Sequence, residues 1–502
     1  MKKYIALLLL SLLHIIPASA DSVNPKREFR GAWLHVIGQS QWKSKSPQQQ
    51  REYIVDQLDK LEDAGCNAVI FQVRPTADAL YISEYEPWSQ WLTGKRGKAP
   101  SPLWDPMEFT IEEAHKRGME FHAWLNPYRV TSSNSDTPTS DMDYHRHPDR
   151  YVKFGDKIFF DPAYQENRDF ICTIVDDIVT RYDVDAIHID DYFYPYPNNG
   201  VKFNKDDASY AKFGNGMNRE DWRRHNVDLL IEQLNNTIKS AKPWVRFGVS
   251  PFGIWRNKKS DPRGSNSSGL QNYDDLYADV LLWAKKGWID YIAPQLYWSL
   301  DLKVAPSRHL AQWWNDNAGD VDIYIGQDTK RTMDSADPGA GQPDELDTKI
   351  KLSRSLSNVK GNVWWHGYWV TENYKGVRDK LRNKYQSTIA LPPVYGDPDK
   401  RPEPVKNLAT SSEKNGILLS WKAPSVGNQP KETDAVQFVV YEFLPGEDPD
   451  DLDNSEAIVL VTRNSSLYIS EQSSGNDVKG NTYVVTSLDR MNRESKPTKI
   501  KL

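Results

Sequence analysis

The sequence predicts an α/β chain, a (β/α)8 barrel followed by a small all-β sandwich. Eight short apolar segments between residues 29 and 370 alternate with stretches long enough to hold helices. A proline-rich interruption follows, and beyond it apolar and polar residues alternate in short strands. Eight strand-then-helix units are what a parallel barrel needs to close. The chain has 502 residues, 38% hydrophobic and 26% charged, so it can bury a large core and is not expected to be disordered or membrane-embedded.

The chain opens with Met1-Lys2-Lys3, an apolar stretch from Tyr4 to Ile16, and Ala18-Ser19-Ala20. This is the pattern of an export signal, expected to be removed at about residue 20. The stretch is too short to span a bilayer, so a soluble protein in the periplasm or at the cell surface is expected, without an integral membrane segment. The formal charge of -6 and the absence of a dense basic run argue against nucleic acid as a partner on electrostatic grounds. The 2 cysteines, Cys66 and Cys172, are expected as buried thiols, with a single bridge left open.

The barrel, expected within residues 21–390, takes its strands from Arg30–His35, Asn67–Arg74, Met119–Asn126, Val184–Asp190, Val245–Ser250, Tyr291–Tyr297, Asp322–Gln327 and Asn362–Tyr368. Helices are expected over Pro47–Ala64, Pro106–Arg117, Tyr164–Arg181, Glu220–Ala241, Tyr273–Lys286 and Pro306–Asn317, with Gly65, Gly118 and Gly287 as stops. Residues 391–404, with Leu391-Pro392-Pro393 at one end and Arg401-Pro402-Glu403-Pro404 at the other, form a proline-rich stretch that no helix could cross and are expected to connect two domains. Residues 405–502 then supply the sandwich, with strands over Gly416–Trp421, Ala435–Phe443 and Thr482–Leu488.

Strand parity locates the site. In Ala186-Ile187-His188-Ile189-Asp190-Asp191 the isoleucines suit the helix-facing side, which turns His188 and Asp190 into the barrel, Asp190 at the C-terminal rim. The same alternation turns Gln72 and Arg74, His122, Trp124 and Asn126, Ser250, Gln295 and Tyr297, and His366 and Tyr368 inward. Such a polar ring is costly to bury without a purpose, and a binding site is the better collective explanation. Asp190, with Arg74 and His188 expected beside it, would be ionised.

Glycoside cleavage generally needs two carboxylates. The second is expected from Asp191, or from a loop acid among Asp78, Glu84, Glu86, Asp105, Asp161 and Glu372. All of the 18 Trp except Trp421 precede the sandwich, and Trp88, Trp91, Trp104, Trp255, Trp298 and Trp369 fall in or beside loops that follow strands, where flat faces suit sugar rings.

These segments resemble the glycosyl-hydrolase-like 10 family over roughly residues 28–385. The pieces that carry the resemblance include Phe29-Arg30-Gly31-Ala32-Trp33, Phe71-Gln72-Val73-Arg74-Pro75 with Asp78-Ala79-Leu80-Tyr81, and His122-Ala123-Trp124-Leu125-Asn126-Pro127-Tyr128-Arg129. His188-Ile189-Asp190-Asp191-Tyr192-Phe193-Tyr194-Pro195, Gly248-Val249-Ser250-Pro251-Phe252-Gly253-Ile254-Trp255 and Pro294-Gln295-Leu296-Tyr297-Trp298 continue it. The resemblance implies an exported glycoside hydrolase without a cofactor, acting on a glycan such as peptidoglycan strands stripped of their stem peptides. On this reading Asp190 and Asp191 are the expected catalytic pair. The expected substrate contacts are Arg74, Asp78, His122, Trp124, Asn126, Tyr128, His188, Tyr192, Ser250, Trp255, Gln295, Tyr297 and Trp298.

The fourth segment is also similar to the strand-four signature of family 18 chitinases, with Tyr192 where those enzymes carry their acid. Substrate assistance by an acetamido group, oriented by Asp190, is the corresponding expectation. The tail, through Val405-Lys406-Asn407-Leu408, Leu419-Ser420-Trp421 and Tyr483-Val484-Val485-Thr486-Ser487-Leu488-Asp489-Arg490, resembles a fibronectin type III domain, for which spacing or docking is expected. Two competing readings are a non-catalytic glycan-binding barrel and a metal-dependent hydrolase or deacetylase using His35, His122, His188 and His366. No close ligand spacing accompanies those histidines, and no metal is expected.

Overall fold

The computed structural model describes residues 24–470 and 480–502, and the expected export signal at 1–20 lies outside the described residues. Eight parallel strands close into a barrel in chain order. They are β1 (Phe29–Leu34), β2 (Ala68–Arg74), β3 (Glu120–Leu125), β4 (Ala186–Ile189), β5 (Arg246–Val249), β6 (Tyr291–Ile292), β7 (Asp322–Asp328) and β8 (Val359–Trp365). β8 pairs with β1 through Arg30 opposite Asn362, which seals the cylinder.

Helices on the outside begin and end where local chemistry dictates. α1 (Pro47–Asp63) starts with a capping box in which the Ser46 hydroxyl accepts from the Gln49 amide and Gln49 answers to the Ser46 amide. α2 (Pro106–Lys116) is capped by Asp105, whose carboxylate accepts from the Met107 and Glu108 amides. α3 (Gln165–Arg181) and α4 (Arg219–Ala241) pack against each other, and α5 (Val280–Lys286) and α6 (Ser307–Asn317) complete the expected set. The stretch expected as one helix over Tyr273–Lys286 divides into Asn272–Asp275 and α5, because Asp279 caps a new helix at the Leu282 amide. Gly287 ends α5 at φ 68°, a left-handed stop that a side chain would disfavour.

Two strands depart from expectation in ways that matter for the site. Ladder pairing in β6 stops after Ile292 because Pro294 has no N–H, although Gln295 resumes contact as isolated bridges to Phe252 and Gly326. β8 begins and ends three residues earlier than expected. Gly361, at φ 154°, lets it approach β1 so closely that a Cβ there would lie 1.9 Å from the Phe29 carbonyl oxygen. His366 and Tyr368 therefore lie beyond the strand, the latter in a short helix over Gly367–Thr371, and it is Trp365 that faces the barrel.

The barrel interior is a layered polar and aromatic core. Near the N-terminal end Phe29 stacks on Tyr324 at 3.9 Å, and Arg246 is ion-paired to Glu120 while donating to the Tyr324 hydroxyl at 2.8 Å. Among the described residues the tail forms seven strands, β9 (Lys406–Glu413), β10 (Gly416–Lys422), β11 (Ala435–Phe443), β12 (Ile458–Thr462), β13 (Ser466–Ser470), β14 (Thr482–Asp489) and β15 (Thr498–Lys501). They make two antiparallel sheets, β9-β10-β13 and β12-β11-β14-β15, with Trp421, Phe438 and Tyr483 buried between them.

This sandwich docks on the face of the barrel opposite the site. Arg463 and Arg490 both donate to Asp183 just before β4, at 2.8 and 2.7 Å, and Asn492 donates at 2.8 Å to Glu120, entering the barrel floor. The proline-rich connector takes part: Leu391 is buried and bridges Arg27, and the Tyr395 hydroxyl donates to the Trp244 carbonyl at 2.6 Å. Cys66 and Cys172 are buried and unpaired, and burial pushes both thiols up to about 12. Among the described residues no helix is long and apolar enough to cross a membrane.

Candidate active site

Strand β4 carries Ile187 and Ile189 into the packing under the helices, so His188 faces the axis and the chain leaves the sheet at Asp190, on the C-terminal rim. Asp190 is fixed at both oxygens from β3 and the loop after it. The Trp124 indole donates to one at 3.1 Å and the Asn126 amide to the other at 3.0 Å. The Asn126 oxygen accepts from the Arg129 amide at 2.8 Å, which sets the amide's orientation. Burial pushes the Asp190 carboxyl above its ordinary value, against the Arg129 guanidinium and those two donors, which favour the ionised form.

Asp191 has the opposite surroundings. Burial and the neighbouring Asp190 charge raise it to about 7, while hydrogen bonds from Tyr196 and Gln295 pull the other way. Parity alone would point it outward, but the sheet has already ended at Ile189 and the turn swings it into the mouth. The neighbouring charge thus adds to burial against ionisation of Asp191, whereas a cation and two donors favour ionised Asp190, a contrast of the kind that divides acid and base roles between two like groups.

The two carboxyls share a cavity of about 320 Å³ with Ser250, Gln295, Tyr192 and a set of aromatic rings. Tyr297 lies nearly parallel to Trp365 at 6.0 Å, and Trp33 meets both edge-on at 6.4 and 6.3 Å. Gln295 donates to the Ser250 carbonyl at 3.0 Å, and the Arg129 guanidinium lies 4.4 Å over the Tyr192 ring. Flat apolar walls with a few convergent polar groups make a site suited to a sugar ring.

Of the expected contacts, Trp124, Asn126, Tyr192, Ser250, Gln295 and Tyr297 are at or against this cavity, around Asp190 and Asp191. Others are elsewhere. Arg74 is committed to Glu86, donating at 2.6 and 2.7 Å, and to the Asn126 carbonyl, so it is a buried structural cation and Arg129 takes the place expected for it. Asp78 is fully buried 3.7 Å from Arg96, away from the mouth. Tyr128 packs among apolar side chains behind the barrel wall, and Trp255 stacks on Trp313 at 5.9 Å and donates to Asp279. Trp298 stands edge-on to Phe252 at 5.4 Å, outside the cavity lining.

His122 and His188 have the right face but the wrong depth. The Trp33 indole donates to His188 Nε2 at 3.2 Å, so His188 carries its proton on Nδ1, toward the Tyr291 hydroxyl at 2.9 Å. That hydroxyl donates on to His122 Nδ1 at 2.8 Å, and His122 Nε2 donates to Glu120 at 3.0 Å. All four ring nitrogens are used, and burial lowers both histidines, keeping them neutral. Among the described residues no three His, Cys, Asp or Glu side chains gather as a metal site. The loop acids are likewise occupied: Glu86 by Arg74, Asp105 by the α2 cap, and Asp161 by the Ala163 amide.

Four lining residues escaped the sequence reading. Trp33 shares the parity of Phe29 and could have been found from it. Trp365 was displaced by the β8 register, while Tyr196 and Phe252 lie past strand ends, where no periodicity marks them.

The profile of the glycosyl hydrolase-like 10 family matches residues 28–338. The glycosyl hydrolase YngK of Bacillus subtilis is 40% identical over 484 residues, covering 94% of this chain and 93% of its own. The glycosyl hydrolase DigH of Escherichia coli K12 is 37% identical over 377 residues, 68% of this chain and 84% of its own. Among solved structures, the PgaB (BpsB) glycoside hydrolase domain from Bordetella bronchiseptica superposes with a TM-score of 0.47 at 12% identity, over 71% of this chain and 99% of that domain. A carboxyl pair at the mouth of a (β/α)8 barrel, a family profile over more than half the sequence and a relative matched nearly end to end agree: the chain belongs to the glycosyl hydrolase-like 10 family and is a glycoside hydrolase.

Proposed function

We propose that this hydrolase cleaves an amino-sugar glycan, peptide-free peptidoglycan strands in particular, with Asp191 as general acid and Asp190 as the ionised partner. The observation that carries this reading is the adjacent pair in one aromatic-lined cavity, one carboxyl with a guanidinium and two hydrogen-bond donors offsetting part of its burial and the other raised to about 7 by burial and its neighbour's charge. Asp191 gives its proton to the glycosidic oxygen as the bond to the anomeric carbon breaks.

Both Asp190 oxygens already accept hydrogen bonds, from Trp124 and Asn126, so this carboxylate is suited to orienting and stabilising an acetamido group rather than to attacking carbon itself. The acetamido oxygen then bonds to the anomeric carbon. Water reopens that ring, returning one proton to Asp191. The expected export signal supports a location outside the cytoplasm, where such strands occur.

The test is mass analysis of fragments released from peptide-free peptidoglycan strands, chitin oligomers and plain glucans. Wild type is expected to release amino-sugar fragments with new reducing ends, and Asp190→Asn to bind the glycan but release none. Fragments from glucans alone would reject the substrate class. Equal turnover by Asp190→Asn would reject the assignment of that residue.

A further inference from the structure

The carboxylate cavity does not end at Trp365. The same indole also lines a second, open cavity of about 440 Å³, formed where β7 and β8 reach the rim and lined further by Asp328, Lys330, Arg331, Asp334, His366 and Trp369. Trp369 lies nearly parallel to His366 at 5.2 Å and 25°, and His366 meets Trp365 edge-on at 5.7 Å, so a second aromatic face begins at right angles to the one made by Tyr297 and Trp365. One ring shared between two cavities suits a run of sugars better than a single sugar.

The charges of this second cavity are unequal in their commitments. Lys330 and Lys375 both pair with Asp334, and the Asp328 carboxylate accepts from the Arg331 amide at 2.8 Å, capping the turn after β7. The Arg331 guanidinium is exposed and has no hydrogen bond or ion pair among the described residues. It is a planar, permanently charged fork beside an aromatic floor, the geometry that takes a carboxylate through two parallel hydrogen bonds.

We propose that this second cavity is a subsite for an acid-bearing sugar, in which Arg331 pairs with the 3-O-lactyl carboxylate of a muramic acid ring. The inference rests on the glycan reading above and sharpens it. In intact peptidoglycan that carboxyl is an amide of the stem peptide, uncharged and bulky; removal of the peptide frees the anion. An arginine at this position therefore selects stripped strands over both peptide-bearing strands and uncharged amino-sugar polymers. It does so by charge rather than by ring shape.

The experiment compares kcat/KM of wild type, Arg331→Gln and Arg331→Lys on peptide-free peptidoglycan strands and on chitin oligomers of matched length. Arg331→Gln is expected to lose roughly ten- to hundredfold on the strands, the value of a charge-assisted contact, with chitin oligomers unchanged. Arg331→Lys should recover part of the loss. Strands whose lactyl carboxyls are methyl-esterified should be poorer substrates for wild type by a similar factor and no poorer for Arg331→Gln. Equal effects on both substrates, or no effect on either, would overturn the subsite while leaving the hydrolase reading intact. A wild type inactive on both substrates would instead overturn the amino-sugar reading, and the subsite with it.

Discussion

Asp191→Asn is expected to be a poorer enzyme and a more stable protein. Loss of the proton donor should lower kcat on natural glycan by roughly 10²–10⁴-fold, the usual contribution of a positioned general acid. An aryl glycoside whose leaving group departs without protonation should be largely spared by Asp191→Asn and not by Asp190→Asn. Equal losses by both variants on both substrates would reject the division of roles.

The stability arm follows from linkage. The Asp191 carboxyl titrates at about 7 in the fold and near the ordinary 3.8 when unfolded. Between those values the folded chain keeps a proton that the unfolded chain releases, so this group's contribution to stability is full below the unfolded value and is lost as pH rises through about 7. A raise of that size corresponds to about 4 kcal/mol at alkaline pH. The asparagine never ionises and can still accept from Tyr196. It should therefore exceed wild type by about 2–4 kcal/mol at pH 8 and differ little at pH 4, measured by urea denaturation. A variant less stable than wild type at pH 8 would mean that the Asp191 charge is compensated and its acid role unsupported.

The wild-type rate should fall on the alkaline side of about 7 as Asp191 loses its proton, and on the acid side as Asp190 gains one, above the ordinary carboxylate value. Removing the Asp190 charge takes away part of what raises Asp191, so Asp190→Asn should move the Asp191 titration to lower pH.

Alternation along a strand carries one bit of information, which face a side chain takes, and it was enough to identify the barrel and the Asp190 rim. It carries nothing about depth. His122 and His188 face the axis as expected yet lie a layer below the cavity, because position along the barrel is set by strand stagger, which the local pattern does not contain. Nor does residue type reveal commitment: Arg74 satisfies the same inward rule as Asn126, but a partner twelve residues on, Glu86, takes its guanidinium into an internal ion pair. Past the strand ends the rule lapses altogether. Tyr128 and Trp255 turned into packing, while Asp191 and Tyr196 turned into the mouth.

Arg246→Met is expected to be the most destabilising single change in the barrel floor, and the pair Glu120→Gln/Arg246→Met to restore most of the loss. Arg246 and Glu120 are both buried, and against a burial that would raise it the Arg246 guanidinium holds Glu120 down to about 2. Removing the cation alone leaves that carboxylate with His122 and Asn492, neither of which carries a full compensating charge. An uncompensated buried charge of this kind costs about 3–5 kcal/mol, whereas neutralising both partners strands no charge. Because Glu120 also accepts from Asn492 of the sandwich and from His122 of the chain that runs through Tyr291 and His188 to Trp33, the loss should reach both ends of the barrel. Urea denaturation of the two single variants and the double variant measures the coupling directly. A double variant as unstable as Arg246→Met alone would show that the arginine acts through its packing against Phe29, Tyr291 and Tyr395 and not through its charge.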